Sequence, residues 1–356
     1  MMPRQLKIAV ASFAHVHAAG YATLLASMPD VTLLCADPDG AQTSATEPGQ
    51  LRGRALADHL GVSYVDTYEE LFAWKPDGVI ICSENTRHGE LIEMAAAAGV
   101  PMLCEKPLAV TRAEAQRYTA LAADAGVFLM VAYPVRFAAE FQDLATAIRR
   151  NELGSVVALS GTNNGKIPVG DRRWFTDPRL AGGGALVDHT VHVADLADAL
   201  FESEPVRVRA VSNQILHRAV PGVDAETAGL VQVEYANGLS LSIDCSWSQP
   251  SQAPVWGGLT LDVLTTTTLA HIAPFGHGLS GMTDEGRRAL FLGFGENLDA
   301  KMIDAFKRGI RDGHAPVPDG AAGTRTATIV EAALISAAHQ GGVVDCATMQ
   351  VVSSAS

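Results

Sequence analysis

The sequence predicts two domains: a doubly wound α/β domain with a parallel sheet over residues 1–132, and an α+β domain with a large, mainly antiparallel open sheet over residues 133–356. Three observations predict this. The length of 356 residues suits two domains at roughly 150 residues each. Up to residue 132, continuous apolar runs alternate with helical stretches, as in a parallel sheet covered on both faces. Beyond it, consecutive strand patterns with short turns take over, as in an antiparallel sheet.

The first strand spans residues 6–11, an apolar run too short for a signal segment and followed by His15 and His17. A helix over about residues 18–27 and a second strand over 31–36 come next. Residues 69–73 read as a short helix, 78–82 as a strand, 90–98 as a helix and 100–104 as a strand. A helix over 112–125 and a fifth strand over 127–132 complete the alternation. A helix over about 138–151 opens the second domain. Residues 161–170, rich in Gly and Asn, are expected to be a loop, and Gly182-Gly183-Gly184 leads into an apolar helix ending near Phe201. Strands are expected over 206–214, 229–235 and 239–247, the last two joined by Asn237-Gly238, a hairpin signal. Two more, over 259–264 and 267–272, flank a threonine-rich turn, and a final helix over 326–339 packs on one domain or the other.

Acidic residues outnumber basic ones 39 to 26, a net charge of −13. The first domain alone has 15 acidic against 9 basic residues. Neither domain offers a basic face, so neither nucleic acid nor a membrane surface is an expected partner. No apolar run approaches the ~18 residues of a membrane span. Five widely spaced cysteines (Cys35, Cys82, Cys104, Cys245, Cys346) imply reduced thiols in the cytoplasm, neither a disulfide framework nor a zinc site.

Doubly wound folds bind ligands at the carboxyl ends of their strands. After the first strand stands Ser12-Phe13-Ala14-His15-Val16-His17. It has none of the three glycines that let backbone approach a pyrophosphate at a helix N-terminus. Asp37 ends the second strand, where an acid accepts hydrogen bonds from a ribose diol; Asp37-Pro38-Asp39-Gly40 also reads as a plain turn. His15 and His17 lie two apart with no third ligand type beside them, so they are expected to face a cofactor or substrate and to hold no metal. Glu105-Lys106-Pro107 follows the fourth strand. A lysine there polarises an oxygen or shuttles a proton, unless it is simply a surface lysine before a turn proline. Asp188, His192 and Asp195 share one face of an otherwise apolar helix. A buried polar stripe must be paired or face a polar cavity. A carboxylate beside a histidine suits general acid/base work, and a core histidine bonded to either Asp would show the same pattern.

Taken together, these segments resemble the glucose–fructose oxidoreductase, inositol dehydrogenase and rhizopine-catabolism family, Gfo/Idh/MocA, along nearly the whole chain. Glu105-Lys106-Pro107 is similar to its E-K-P signature. Ser83-Glu84-Asn85-Thr86-Arg87-His88 is similar to T-P-N-x-x-H, with Ser for Thr and Glu84 for Pro. Tyr133, Arg136 and Phe137 match the opening of the second domain. Gly182-Gly183-Gly184, Asp188 and His192 match G-G-G-x-x-x-D-x-G-x-H, with Thr190 for the glycine.

The resemblance implies an NAD-dependent oxidoreductase that transfers hydride between a secondary alcohol of a sugar, cyclitol or related polyol and nicotinamide. Lys106, Asp188 and His192 are its implied catalytic group. Ser12, Phe13, Ala14, His15, Asp37, Ser83, Asn85, His88, Glu105 and Lys106 are implied at the cofactor. Asp37 favours NAD over NADP, and no arginine follows it in Pro38-Asp39-Gly40 to counter its charge. Substrate contacts are expected from Lys106, Tyr133, Arg136, Asn163, Lys166, Trp174, Asp188 and His192, with Asn164, Arg172 and Arg173 nearby and the indole stacked on a sugar ring. Two other classes stay open: redox-neutral NAD-assisted glycoside cleavage or epimerisation, and a non-catalytic NAD-binding regulator. A homodimer or homotetramer through the second sheet is expected, because Leu239, Leu241, Ile243 and Cys245 alternate with Ser240, Ser242 and Asp244. That alternation gives the sheet one apolar face and leaves the other for a partner.

Overall fold

The computed structural model describes residues 4–41, 51–170, 173–284, 288–293 and 295–352. Its first elements are β1 (Leu6–Ala11), α1 (His17–Ser27), β2 (Val31–Ala36), α2 (Gly53–Leu60), β3 (Tyr64–Val65), α3 (Tyr68–Ala73) and β4 (Gly78–Ile81). Then come α4 (His88–Ala97), β5 (Met102–Cys104), α5 (Arg112–Asp124), β6 (Leu129–Val131), α6 (Ala139–Arg149), β7 (Val156–Lys166), α7 (Pro178–Ala181) and α8 (Ala185–Phe201). The chain continues through β8 (Pro205–Asn213), β9 (Ala228–Tyr235), β10 (Ser240–Gln249), β11 (Gly257–Thr265), β12 (Leu269–Ile272), β13 (Gly278–Thr283) and β14 (Arg288–Gly293). It closes with α9 (Leu298–Asp312), α10 (Gly320–Ala338), β15 (Val344–Asp345) and β16 (Gln350–Val351).

These elements form two compact units. One comprises Met1–Ala132, Pro168–Gly182 and Asp299–Thr324; the other comprises Tyr133–Ile167, Gly183–Leu298 and Arg325–Ser356. The second is therefore not one unbroken stretch from residue 133, since 168–182 and 299–324 belong to the first. The final helix expected over 326–339 falls in the second unit.

In the first unit the six strands are parallel, in the order β3-β2-β1-β4-β5-β6. This is the doubly wound order, with its switch between β1 and β4. Ile8, Val10, Val79, Ile80, Leu103 and Met130 are wholly buried, which is why these strands read as continuous apolar runs. The sequence reading lacked α2 and α9. On α9, the buried Met302, Ile303 and Phe306 are interleaved with charged residues that dilute the apolar stripe. Phe306 meets Phe128 edge-on at 5.7 Å, and a Cβ on Gly78 would lie 2.9 Å from Phe306. The small residue at the head of β4 lets the helix sit close.

The second unit carries an eight-stranded sheet in the order β12-β11-β7-β10-β9-β8-β15-β16. It is antiparallel except where β7 pairs parallel with β10. Residues 161–166, expected as loop, lie in β7. Their glycines have a packing cause: a Cβ on Gly161 would lie 2.4 Å from Val193 of α8, and one on Gly165 2.8 Å from His189. The helix crosses the strand where side chains are missing, so low strand propensity is overridden by tertiary fit. The alternation along β10 holds: Leu241, Ile243 and Cys245 are buried, while Ser240, Ser242 and Asp244 are exposed. The inner face packs with Leu186, Val193 and Leu196 of α8 in one apolar core. On other strands, Val157, Val211, Leu230 and Leu264 are exposed. The β13–β14 hairpin was not expected. No described helix is long and apolar enough to cross a membrane. All five cysteines are buried thiols.

Candidate cofactor and active-site residues

In the first unit, Ser12 leaves β1 with φ at 72°, a left-handed conformation that glycine adopts without cost. Its hydroxyl accepts the Ala14 N–H at 3.2 Å and donates to Asp37 at 3.3 Å. A serine thus makes the turn that a glycine makes in a glycine-rich loop. Trp174 packs on this turn. Its Nε1–H donates to the Ala14 carbonyl at 2.9 Å, and its ring stacks on Phe175 at 3.9 Å. At 2% exposure the indole is a packing residue of this unit, and the sugar-stacking role expected of it has no open face. Arg172 lies outside the described residues.

Asp37 stands at the end of β2 as expected, but its charge is countered. Arg52 donates to both carboxylate oxygens, each at 2.8 Å, and Gly53 N–H adds a third bond at 2.8 Å. Burial alone would raise the Asp37 pKa, yet the Arg52 guanidinium and the Gly53 N–H hold it below the usual carboxylate range. The expectation that no arginine counters Asp37 is therefore corrected. The arginine comes from fifteen positions along the chain, beyond any turn-sized window.

Glu105 closes the floor of the turn. It is wholly buried. His17 Nδ1 lies 3.0 Å from Oε1, Tyr21 donates its hydroxyl to the same oxygen at 2.8 Å, and Lys106 N–H donates to Oε2 at 3.1 Å. Burial would raise this carboxyl, but His15 and His17 hold it well below its ordinary value. With both oxygens hydrogen-bonded by protein groups, Glu105 supports the turn. Lys106 is 3% exposed, with its ammonium 5.8 Å from the Phe175 ring centre. It is therefore not a surface lysine.

At the carboxyl end of β4, Ser83 Oγ and Asn85 Oδ1 are buried without a hydrogen-bond partner among the described residues. The Asn85 amide donates to the Ala181 carbonyl at 2.9 Å, which fixes its orientation. Glu84, where the family pattern has proline, is also wholly buried, and burial raises its pKa. The sequence reading treated Glu84 only as a departure; its burial could not be read from an isolated acid in a loop. His88 is corrected. It is wholly buried, with its ring nitrogens 3.2 Å from the Ser83 carbonyl and 3.4 Å from that of Leu108. It braces the loop and has no exposed edge for a ligand.

In the second unit, Gly183 and Gly184 lead into α8 because a side chain cannot fit there. A Cβ on Gly184 would lie 2.0 Å from the Glu226 carbonyl. The Glu226 carboxylate caps the helix, accepting from Gly184 N–H at 2.7 Å and Leu186 N–H at 3.1 Å, while its carbonyl accepts from Ala185 N–H at 2.9 Å. One turn on, Asp188 accepts the Trp247 indole N–H at 3.1 Å, and His189 Nε2 lies 3.1 Å from the same oxygen. His189 Nδ1–H donates to the Asn163 carbonyl at 2.7 Å, and the Asn163 amide donates to the His189 carbonyl at 3.3 Å. Asn163 is thus tied to α8, away from its expected role at substrate. Glu226, His189 and Trp247 carry no motif, and the sequence reading missed all three.

His192 is half-buried and lies edge-on to Tyr133, with ring centres 6.1 Å apart. Tyr133 is buried and hydrogen-bonded to Thr326 at 2.8 Å. Asp195 is not a partner of the stripe but the anchor of Arg136, whose Nε lies 2.9 Å from both its oxygens. Arg136 also donates to Asp198 at 2.7 Å, and Arg325 bonds the same carboxylate. Arg136, expected at substrate, is spent in this buried network. Lys166 bonds the Ala253 carbonyl.

Comparison with known proteins agrees with this architecture. A family model described as an oxidoreductase family with an NAD-binding Rossmann fold matches residues 19–133. A GFO/IDH/MocA C-terminal domain model matches residues 141–267. A D-xylose 1-dehydrogenase (NADP(+)) of Haloferax volcanii is 32% identical over 56% of this chain and 60% of its own. A myo-inositol 2-dehydrogenase of Thermotoga maritima is 24% identical over 76% of this chain and 80% of its own. The chain spans about half the length of several curated relatives it matches. The crystal structure of GenD2 from gentamicin A biosynthesis, in complex with NAD, superposes with a TM-score of 0.83 at 24% identity, covering 97% of both chains. With models of that family matching both its halves, the chain belongs to the Gfo/Idh/MocA oxidoreductases.

Proposed function

We propose that the protein is an NAD-dependent dehydrogenase that oxidises a secondary alcohol of a sugar, cyclitol or related polyol. The observation that carries this is the pair of buried, unsatisfied atoms, Ser83 Oγ and Asn85 Oδ1, at the β4 strand end. The neighbouring strand β5 runs into the buried Lys106. Groups left in that state take a ligand or an ordered water as partner, and a dinucleotide's hydroxyl and amide groups suit them. The relatives named for xylose and inositol support the substrate class.

A bound nicotinamide supplies the hydride acceptor. Lys106 donates a hydrogen bond to the reacting hydroxyl oxygen and steadies the negative charge that grows there. His192 takes the hydroxyl proton. Asp188, oriented by Trp247, holds substrate hydroxyls. NAD is the preferred cofactor because the Asp37 carboxylate would repel a 2′-phosphate, and the margin is modest because Arg52 offsets that charge. We place the protein in the cytoplasm, in keeping with its buried thiols. We also assign it a homodimer or homotetramer built through the outer face of the second sheet, where Val157, Val211, Leu230 and Leu264 are exposed.

The test is a screen of cyclitols, aldoses, anhydrosugars and glycosides with NAD and NADP, read at 340 nm. Lys106→Ala and His192→Ala should each lower turnover by about 10²–10⁴-fold while NAD affinity changes little. Activity in the oxidation direction should rise with pH, since the base must be unprotonated. Near-normal turnover of His192→Ala with an unchanged pH profile would remove histidine from the chemistry. Consumption of a glycoside without added cofactor and without net absorbance change would replace the dehydrogenase by a redox-neutral enzyme.

A further inference from the structure

We propose that His15, His17 and Glu105 form a binding site for one divalent transition-metal ion of the zinc class. The two histidines alone are too little for a site, and the sequence places no third ligand near them. The fold does: β1 and β5 end on the same edge of the sheet, and Glu105 arrives from β5 directly under the turn that follows β1. The ligand atoms of the three side chains lie within 4.8 Å of one another.

The spacing suits a metal. Zinc binds imidazole nitrogen and carboxylate oxygen at about 2.0–2.2 Å, so neighbouring ligand atoms of a tetrahedral set stand roughly 3.4 Å apart. Here Glu105 Oε1 is 3.0 Å from His17 Nδ1 and 3.7 Å from His15 Nδ1. Two histidines and a carboxylate form one of the three-ligand sets that zinc takes with water in the fourth position. His15 and Glu105 are buried, while the His17 side chain is 31% exposed, so one side is open to solvent.

In the metal-free protein His15 Nδ1 accepts the His17 backbone N–H at 3.3 Å and His17 Nδ1 lies 3.0 Å from Glu105 Oε1, and an ion would take the place of both contacts. Tyr21 O–H on Oε1 and Lys106 N–H on Oε2 hold the carboxylate in place. Such outer partners commonly orient metal ligands. Among the described residues, the titratable groups beside this cluster include Lys106, His88 and Asp299. The exposed pairs His271–Asp262 and His277–Glu140 offer two ligands each and serve as the contrast.

Metal-stripped protein titrated with Zn²⁺ against a chromophoric chelator is expected to bind one ion per chain tighter than about 1 μM. About one proton should be released as it binds. Co²⁺ should give the intense visible bands of a four-coordinate ion. His17→Ala should weaken zinc by more than about 100-fold, and Tyr21→Phe by about 10–100-fold. His17→Ala also takes a partner from the buried Glu105 and should melt lower than wild type, so it is titrated well below its own melting temperature, with circular dichroism confirming that it is folded. A wild type with no site of that affinity, or a folded His17→Ala that binds zinc as wild type does, overturns the assignment. None of these measurements needs NAD, so the metal site and the dehydrogenase reading fail independently.

Discussion

Replacing Arg136 by methionine separates its expected role at substrate from the role its contacts indicate. In the structure the guanidinium holds Asp195 through Nε at 2.9 Å and Asp198 through the terminal nitrogen at 2.7 Å. Arg325 also bonds Asp198, so that carboxylate keeps a partner in the variant. Asp195, 1% exposed, loses its direct cation contact. Stripping one partner from a buried pair costs about 3–5 kcal/mol. Total stabilities are roughly 5–15 kcal/mol. For a unit of this size the loss lowers its melting temperature by roughly 6–20 °C. The cost should depend on pH. Burial already raises Asp195 to about 7 with Arg136 in place; without the arginine its folded pKa goes higher. A carboxyl whose folded pKa lies above its unfolded value keeps its stability at low pH and loses it as pH rises. Scanning calorimetry should therefore show a large loss at pH 8 and a smaller one at pH 5. A loss under about 1 kcal/mol at pH 8, or the same loss at both pH values, would refute the buried-charge argument. A raised KM with unchanged stability would return Arg136 to the substrate.

The other expected outcomes concern the remaining charges. Arg52→Ala should widen the preference for NAD over NADP, because it bares the Asp37 carboxylate; kcat/KM with each cofactor measures it, and a shift toward NADP would count against the pairing. The Arg52–Asp37 bond should also weaken in acid. A carboxyl held below its unfolded pKa contributes stability above that value and loses it as pH falls through the folded one; a wild type no more sensitive than Arg52→Ala to urea denaturation between pH 5 and pH 3 would contradict this. Glu226→Ala should cost about 1 kcal/mol or more as a lost helix cap. Glu226→Gln, which keeps the acceptor and removes a buried charge, should melt at or above wild type at pH 8, and a loss as large as that of alanine would sink the capping role. Light scattering at micromolar concentration should give a multiple of 37.4 kDa; a monomer would free the outer sheet face of its assigned partner.

Much of this architecture is legible in the chain because the signals are local. The apolar runs of β1, β4 and β5 follow from burial on both faces, and the alternation in β10 from burial on one. The E-K-P and G-G-G segments can be read because each meets a steric or chemical demand at fixed spacing, as Gly184 shows against the Glu226 carbonyl. The misses have a common origin. β7 looks like a loop because Gly161 and Gly165 give way to Val193 and His189 of a helix that comes later in the chain. α9 hides its apolar stripe among charges. Glu226 and Trp247 act on α8 from 40 and 59 positions away, and no window of sequence contains both ends of such a contact.

The same reasoning explains why the polar residues were harder to place than the apolar ones. An apolar residue needs only to be inside, and many neighbours will serve. A buried charge needs a particular partner at hydrogen-bond distance. The sequence shows that Asp37, Asp195 and Glu105 are acids near strand ends or on a helix face. It does not show that Arg52 takes the first, Arg136 the second, and His17 with Tyr21 the third. Each pairing changes what the acid can do: in the readings proposed above, Asp37 discriminates less between cofactors, Asp195 leaves the proton chemistry, and Glu105 joins two histidines in a ligand set. Positions could be assigned from the chain, but the ionic roles could be assigned only once the partners were known.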